Sequence, residues 1–376
     1  MPLAKVMIID ESSVCRGLII KDLEAFGVST LSSVNSHMVA CKELEIQSAQ
    51  KLQPDCIIFD INAMQVDVPG MIGAVKQRAP SSKLLVMLPD NETSIDLGML
   101  ALEHGAADFI IKQVKGSNNA ITTASREALS YKVRELLNIP VKEAAADKRI
   151  APGQVPSAHS SYAPKDSKKL FKNTIPAHYH PLVLAIASST GGPQVLVGLF
   201  RELGRRQVTL PIFITQHMPR DFTQVLAKQL EKVSGLPCKE AEHNEPVQSG
   251  HVYIAPGDYH MLVRRDDPKG KILLSLNQNP PENYCRPAAD PMFRSLVEVY
   301  GGNSILAVVL TGMGSDGKKG CEEIAHKNGV VIAQDKDSSV VWGMPGAVTQ
   351  AGITYANYNI SQLPEAIMRL SGGKIQ

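Results

Sequence analysis

No C-x-x-C pair occurs in this chain, and its six cysteines (Cys15, Cys41, Cys56, Cys238, Cys285 and Cys321) lie scattered over 376 residues. That excludes a disulfide framework for a chain of this length and reads as buried thiols in a reducing compartment. A cluster with metal-ligand spacing is also missing. His178 and His180 flank one residue of a loop-like segment, where a solvated loop is the simpler reading. Excess charge of one sign is lacking: 39 Lys and Arg against 37 Asp and Glu leave a net +2. Neither nucleic acid nor an acidic membrane surface is implied as a partner. Apolar runs such as 182–187 are strand-sized, far below the ~18 residues of a membrane span, so direct membrane insertion is not expected. The apolar run ending at Asp10 is too short for a secretion signal and has no small-residue cleavage pattern. A cytoplasmic location is the expectation. No repeat recurs at solenoid periods.

What is present fits a soluble globular protein of two or three domains, with 44% hydrophobic and 20% charged residues. Apolar β-branched runs at 5–9, 56–59, 84–88 and 109–111 predict strands. Helical spacing at Val14, Leu18, Leu23 and Phe26, and at 97–104 and 119–137, predicts helices between and after them. The stretch 139–178 breaks the rhythm with Pro, Gly and Ser and reads as a flexible linker. The rhythm resumes with strands at 182–187, 212–215, 305–310 and 329–333, and helices to about Leu203 and over 223–233. Runs at 251–254 and 261–264 flank Ala255-Pro256-Gly257-Asp258 and predict a hairpin. The reading is α/β, two doubly wound parallel-sheet domains over 1–138 and 179–376, joined by a linker.

In open α/β sheets, active sites gather beyond the carboxyl ends of the strands. Ser189, His217 and Asp316 each follow such an end. A serine hydroxyl needs a base, imidazole can serve near neutrality, and a carboxylate fixes the ring and steadies its charged form. Ser189 opens a predicted helix, where backbone N–H groups freed by Gly191 and Gly192 suit an oxyanion, and Pro193 suits the first turn. The bland alternatives are an N-cap and tight turn at Ser189, a hydrogen-bonded histidine at a strand end, and a turn or cap aspartate. Together the three favour a triad. A phosphate cradle is the rival, but the segment has neither G-x-G-x-x-G nor the P-loop lysine. It also lacks G-x-S-x-G, and the chain order Ser, His, Asp differs from that of α/β-hydrolases.

Several motifs in this half resemble the catalytic domain of chemotaxis protein-glutamate methylesterases: Ala185-Ile186-Ala187-Ser188-Ser189-Thr190-Gly191-Gly192-Pro193, Gln216-His217-Met218-Pro219, Tyr253-Ile254-Ala255-Pro256-Gly257-Asp258, Arg286-Pro287, Gly312-Met313-Gly314-Ser315-Asp316-Gly317 and Gly343-Met344-Pro345. The resemblance spans residue 182 to the C-terminus. It implies Ser189 as nucleophile, His217 as base and Asp316 as carboxylate, with Thr190 and the backbone near Met313 at the oxyanion site. It further implies hydrolysis of glutamyl methyl esters on chemoreceptor helices, with possible glutamine deamidation and no cofactor for the ester reaction. Ala288 stands where the family usually has Ser, and Gly346 where Arg is common.

In the first half, Asp10, Glu11, Asp60 and Lys112 each end or follow a predicted strand. Carboxylates gathered at one sheet edge repel unless a cation sits between them, and hard oxygen ligands suit Mg²⁺; ordinary solvated turn carboxylates are the alternative. Residues 5–137 resemble a two-component receiver. The resemblance implies Asp60 as phosphoacceptor, Asp10, Glu11 and Asp60 as Mg²⁺ ligands, Lys112 at the phosphoryl group, Phe109 as the switch aromatic and a histidine kinase as phosphodonor. Pro89 replaces the family's Ser or Thr, Ile61-Asn62-Ala63-Met64 replaces the usual Met-Pro after Asp60, and Gln113 stands where Pro follows the lysine. The expected function is a methylesterase whose receiver covers the active site until Asp60 is phosphorylated. A non-catalytic scaffold of receptor arrays, or a hydrolase of the same fold on another ester or amide, is the competing reading.

Overall fold

A computed structural model describes residues 4–61, 67–116, 120–139, 175–176, 178–206, 208–266 and 270–372. The predicted linker 139–178 falls almost wholly outside the described residues, as do Asn62, Ala63, Met64 and Asn119.

The first half runs β1 (Ala4–Ile9), α1 (Ser13–Glu24), β2 (Val28–Val34), α2 (His37–Ala49), β3 (Cys56–Asp60), α3 (Val68–Arg78), β4 (Lys83–Pro89), α4 (Ser94–Glu103), β5 (Asp108–Lys112), a short pair β6 (Val114–Lys115) and β7 (Ala120–Ile121), then α5 (Thr123–Leu137). β1, β3 and β4 are apolar along nearly their whole length because helices cover both faces of a parallel sheet. The order β2-β1-β3-β4-β5 reverses direction beside β1 and places the ends of β1, β3 and β5 around one crevice. Ser12, Ser36 and Thr122 start their helices by accepting the N–H groups of Cys15, Val39 and Ser125.

The second half runs β8 (Val183–Ser188), α6 (Gly192–Arg205), β9 (Ile212–Gln216), α7 (Phe222–Ser234), β10 (Cys238–Glu240), β11 (Val252–Ile254), β12 (His260–Asp266), β13 (Lys271–Asn277), α8 (Ala289–Tyr300), β14 (Ile305–Val309), α9 (Lys318–His326), β15 (Val330–Gln334), α10 (Met344–Gln350), β16 (Ala356–Tyr358) and α11 (Leu363–Leu370). Seven parallel strands pair in the order β10-β11-β9-β8-β14-β15-β16. Ser189, His217 and Asp316 follow the adjacent central strands β8, β9 and β14.

The hairpin predicted across 255–258 is not formed. β11 pairs in parallel with β9, Tyr253 opposite Phe213, while β12 pairs antiparallel with β13. All three β11 residues are buried, which is the environment of an interior strand rather than a half-solvated ribbon. None of the six cysteines is in a disulfide, but Cys41 and Cys285 are only half-buried. No helix among the described residues is long and apolar enough to cross a membrane.

The two halves share one continuous apolar cluster that runs from Met99 and Phe109 to Met218 and Phe222. The rings of Phe109 and Phe222 stack with centroids 4.6 Å apart.

Candidate active site and regulatory site

Gly191, at φ +77, turns the chain from β8 into α6, and Pro193 occupies the first helical turn. The turn is fixed by three side chains at or just past strand ends. Gln216 Nε2 donates to the Ser189 carbonyl at 2.9 Å, Ser188 Oγ donates to Gln216 Oε1 at 2.6 Å, and Thr311 Oγ1 donates to the Thr190 carbonyl at 2.9 Å. Ser189 is 5% exposed and lines a cavity of about 670 Å³ together with His217, Asp316, Met313 and Cys285.

His217 Nε2 lies 2.7 Å from Asp316 Oδ2, so two of the three predicted partners are in contact. Asp316 is buried at the N-terminus of α8. Its carboxylate accepts the N–H of Ala289 (2.6 Å) and Asp290 (3.1 Å), and the Asn283 side chain at 2.8 Å. A helix N-terminus suits a carboxylate for both its free donors and its dipole. Burial opposes charge on Asp316, but its bonds to His217 and to these amides outweigh that and hold it below the usual carboxylate range. Burial likewise opposes charge on His217, yet the bonds to Asp316 and Cys285 push it up to about 10.

Ser189 shares the cavity but makes no hydrogen bond with the His217 ring; Nδ1, the nitrogen left over from Asp316, faces Cys285 Sγ at 3.5 Å. The arrangement is a carboxylate–imidazole pair next to a serine, able to support acyl transfer once ring and hydroxyl meet. Catalytic contacts are often long without substrate. Cys285 and Asn283 had no sequence signal: neither belongs to a strand end, and they reach His217 and Asp316 across 68 and 33 residues.

The expectation for the two glycine amides is corrected. The Gly192 N–H is taken by the Ser189 carbonyl at 2.7 Å and the Gly191 N–H by the Ala107 carbonyl at 3.1 Å. Ala107 belongs to the first half, which sits directly on the turn between β8 and α6. Thr190 Oγ1 donates to Asp108 Oδ2 at 2.7 Å, and Lys132 Nζ lies 2.6 Å from the same oxygen and 3.5 Å from Glu135. Burial opposes charge on Lys132, but Asp108 and Glu135 more than offset it and hold the ammonium charged. Tyr131, Lys132 and Glu135 of α5 complete the wall of the cavity around Ser189.

At the other crevice, Lys112 Nζ bridges Asp10 Oδ2 at 2.8 Å and Asp60 Oδ2 at 2.7 Å. Glu11 is exposed. The predicted set Asp10, Glu11 and Asp60 is not gathered: among the described residues, no three His, Cys, Asp or Glu side chains are arranged to hold a metal ion. The closed pair still fits a hard cation. Burial, and then the Asp10 charge, push Asp60 up to about 6 against the pull of Lys112. Mg²⁺ takes one or two carboxylates with several waters, which answers such a repulsive pair. Pro89 offers no hydroxyl, its carbonyl accepts Ser94 Oγ, and Gln113 Nε2 donates to Asp90 at 3.1 Å.

A family profile described as CheB methylesterase matches residues 184–367. The chain is 37% identical over 372 residues to the protein-glutamate methylesterase/protein-glutamine glutaminase of Azospirillum brasilense, covering 98% of this chain and 92% of that protein. It is 38% identical over 383 residues to the protein of that name from the group 2 operon of Rhodospirillum centenum, covering 98% and 94%. The crystal structure of the Thermotoga maritima CheB methylesterase catalytic domain is 39% identical, with 50% of this chain and 98% of that chain covered and a TM-score of 0.48. The response regulator domain of Thermotoga maritima CheB is 19% identical, with 37% and 98% covered and a TM-score of 0.29.

Proposed function

The chain belongs to the CheB methylesterase family, and from that premise we propose that it hydrolyses glutamyl methyl esters on the cytoplasmic helices of chemoreceptors. The observation that carries this reading is the 2.7 Å contact between His217 and the buried Asp316 on the wall of the cavity that holds Ser189. Ser189 Oγ attacks the ester carbonyl while its proton passes to His217. The C–O bond to the methoxy group breaks, and His217 returns the proton so that methanol leaves. A water molecule, deprotonated by His217, then attacks the acyl-enzyme and frees glutamate and Ser189. Backbone donors near Thr190 and Met313 receive the oxyanion. Deamidation of glutamine uses the same steps with ammonia as the leaving group.

The first half is the regulator. Ala107, Asp108, Lys132 and Glu135 hold the nucleophile turn, and Phe109 stacks on Phe222. Phosphorylation of Asp60 by a histidine kinase releases this grip. Asp10 and Asp60 would hold Mg²⁺ there, and a bound cation would supply charge neutralisation for the phosphoryl group; Lys112, now paired with both carboxylates, is placed to meet the phosphoryl oxygens. The expected result is that Ser189→Ala abolishes methanol release from receptor-bearing membranes, and unchanged release would overturn the esterase reading. Asp60→Asn is expected to remove the stimulation given by a small phosphodonor. A variant that still responds like the parent overturns the regulatory half.

A further inference from the structure

Glu282 and Cys285 exchange both backbone hydrogen bonds, at 3.1 and 2.9 Å, and close a two-residue loop. The two residues between them, Asn283 and Tyr284, have φ of +53 and +63. Two successive positive φ values are the mark of a type I′ turn, whose preferred pair is Asn then Gly. Asn283 suits its place. Tyr284 occupies the glycine place, where a side chain is strained and glycine is not.

The tyrosine gains no packing in exchange. Its side chain is fully exposed, at 101%. Yet it lines the same cavity as Ser189, His217 and Asp316. Its neighbour faces inward: Asn283 Nδ2 donates to Asp316 Oδ1 at 2.8 Å and to Asp290 Oδ2 at 2.9 Å. One tight turn therefore braces the carboxylate of the site from within and holds an unburied aromatic ring at the cavity mouth. A strained backbone position with no internal return points to a role with something that arrives from outside.

The methylesterase reading, on which this inference rests, supplies the visitor. A helix is roughly 10 Å across with its side chains, so only the ester-bearing side chain enters the cavity while the helix surface stays at the rim. Residues three and four positions away share that surface. We propose that Tyr284 is a specificity-determining residue: its ring receives the helix face beside the glutamyl ester, so that esters carried on a helix are preferred to small free esters. Aromatic side chains are the usual anchors of such contacts, because they bring large area at little entropic cost.

The test compares kcat/KM of the full chain on a methylated receptor fragment and on p-nitrophenyl acetate, for the parent, Tyr284→Gly and Tyr284→Phe. Glycine relaxes the turn, so Tyr284→Gly is expected to melt no lower than the parent. Its receptor-to-small-ester ratio is expected to fall about tenfold, mainly through KM, the size of a modest interface anchor. Tyr284→Phe is expected to keep the parental ratio. An unchanged ratio in Tyr284→Gly, or equal losses on both esters, overturns the proposal. A parent that cleaves the small ester but releases no methanol from the receptor fragment overturns the methylesterase reading and this inference with it; a parent active on both isolates the question of Tyr284.

Discussion

His217 holds a proton more firmly than free histidine does, and the sign of that shift fixes how pH acts on the molecule. Its value is pushed up from 6.5 to about 10 against burial by Asp316 and Cys285. A raised value in the folded state contributes stability that is fully present below about 6.5 and is lost as pH rises toward about 10. A base must also be neutral to accept the Ser189 proton. Esterase activity of the unstimulated chain is therefore expected to climb between pH 7 and pH 10 while its melting temperature falls, and His217→Gln should lose that part of the melting trend. A rate profile that levels off near 6.5 would contradict the assignment. The three candidate residues were readable as a set because Ser189, His217 and Asp316 each follow an apolar run. Their contacts were not, because Asn283, Cys285 and the N-terminus of α8 converge on them from distant parts of the chain.

At the scale of elements, the sharpest constraint is the passage from β8 to α6. A Cβ placed on Gly192 would lie 2.0 Å from Gln216 Oε1 and 2.9 Å from Ser188 Cβ. Gln216 would have to leave, freeing the Ser188 hydroxyl and the Ser189 carbonyl it now satisfies. Gly192→Ala is expected to cost about 1–3 kcal/mol in chemical denaturation, as overpacked sites do, and to lower activity more than a distant Gly198→Ala, whose added methyl meets nothing within 4 Å. Equal effects of the two would show that the turn tolerates a shift. The central strands were legible as short apolar runs. β2 was not: Val-Ser-Thr-Leu-Ser-Ser-Val is half polar because it lies at a sheet edge, where only Val28 is fully buried. The hairpin expectation failed because a Pro-Gly-Asp turn between apolar runs does not tell whether the runs pair with each other or with strands elsewhere.

For the molecule as a whole, the decisive contacts are those between the halves, and sequence is silent on them. Asp108, Lys132 and Glu135 read as ordinary surface charges of a βα unit, yet they are packed around Thr190. Removing Lys132 leaves two carboxylates without their cation at a buried interface, a strongly unfavourable state that parting of the halves relieves. Lys132→Met is expected to raise unstimulated esterase activity, by tenfold for each ~1.4 kcal/mol taken from the closed arrangement. Faster amide exchange at the 107–109 segment should accompany it. A variant with parental activity and parental exchange would show that the cluster does not hold the halves together.

The Gly191 amide has a single hydrogen to give, and Ala107 now takes it. Any acceptor drawn to that amide must first displace Ala107 of the first half, and a chain whose halves have parted offers the amide freely. Closure of the halves and any outside acceptor thus compete for one backbone proton, and by reciprocity whatever binds the freed amide also favours the parted arrangement.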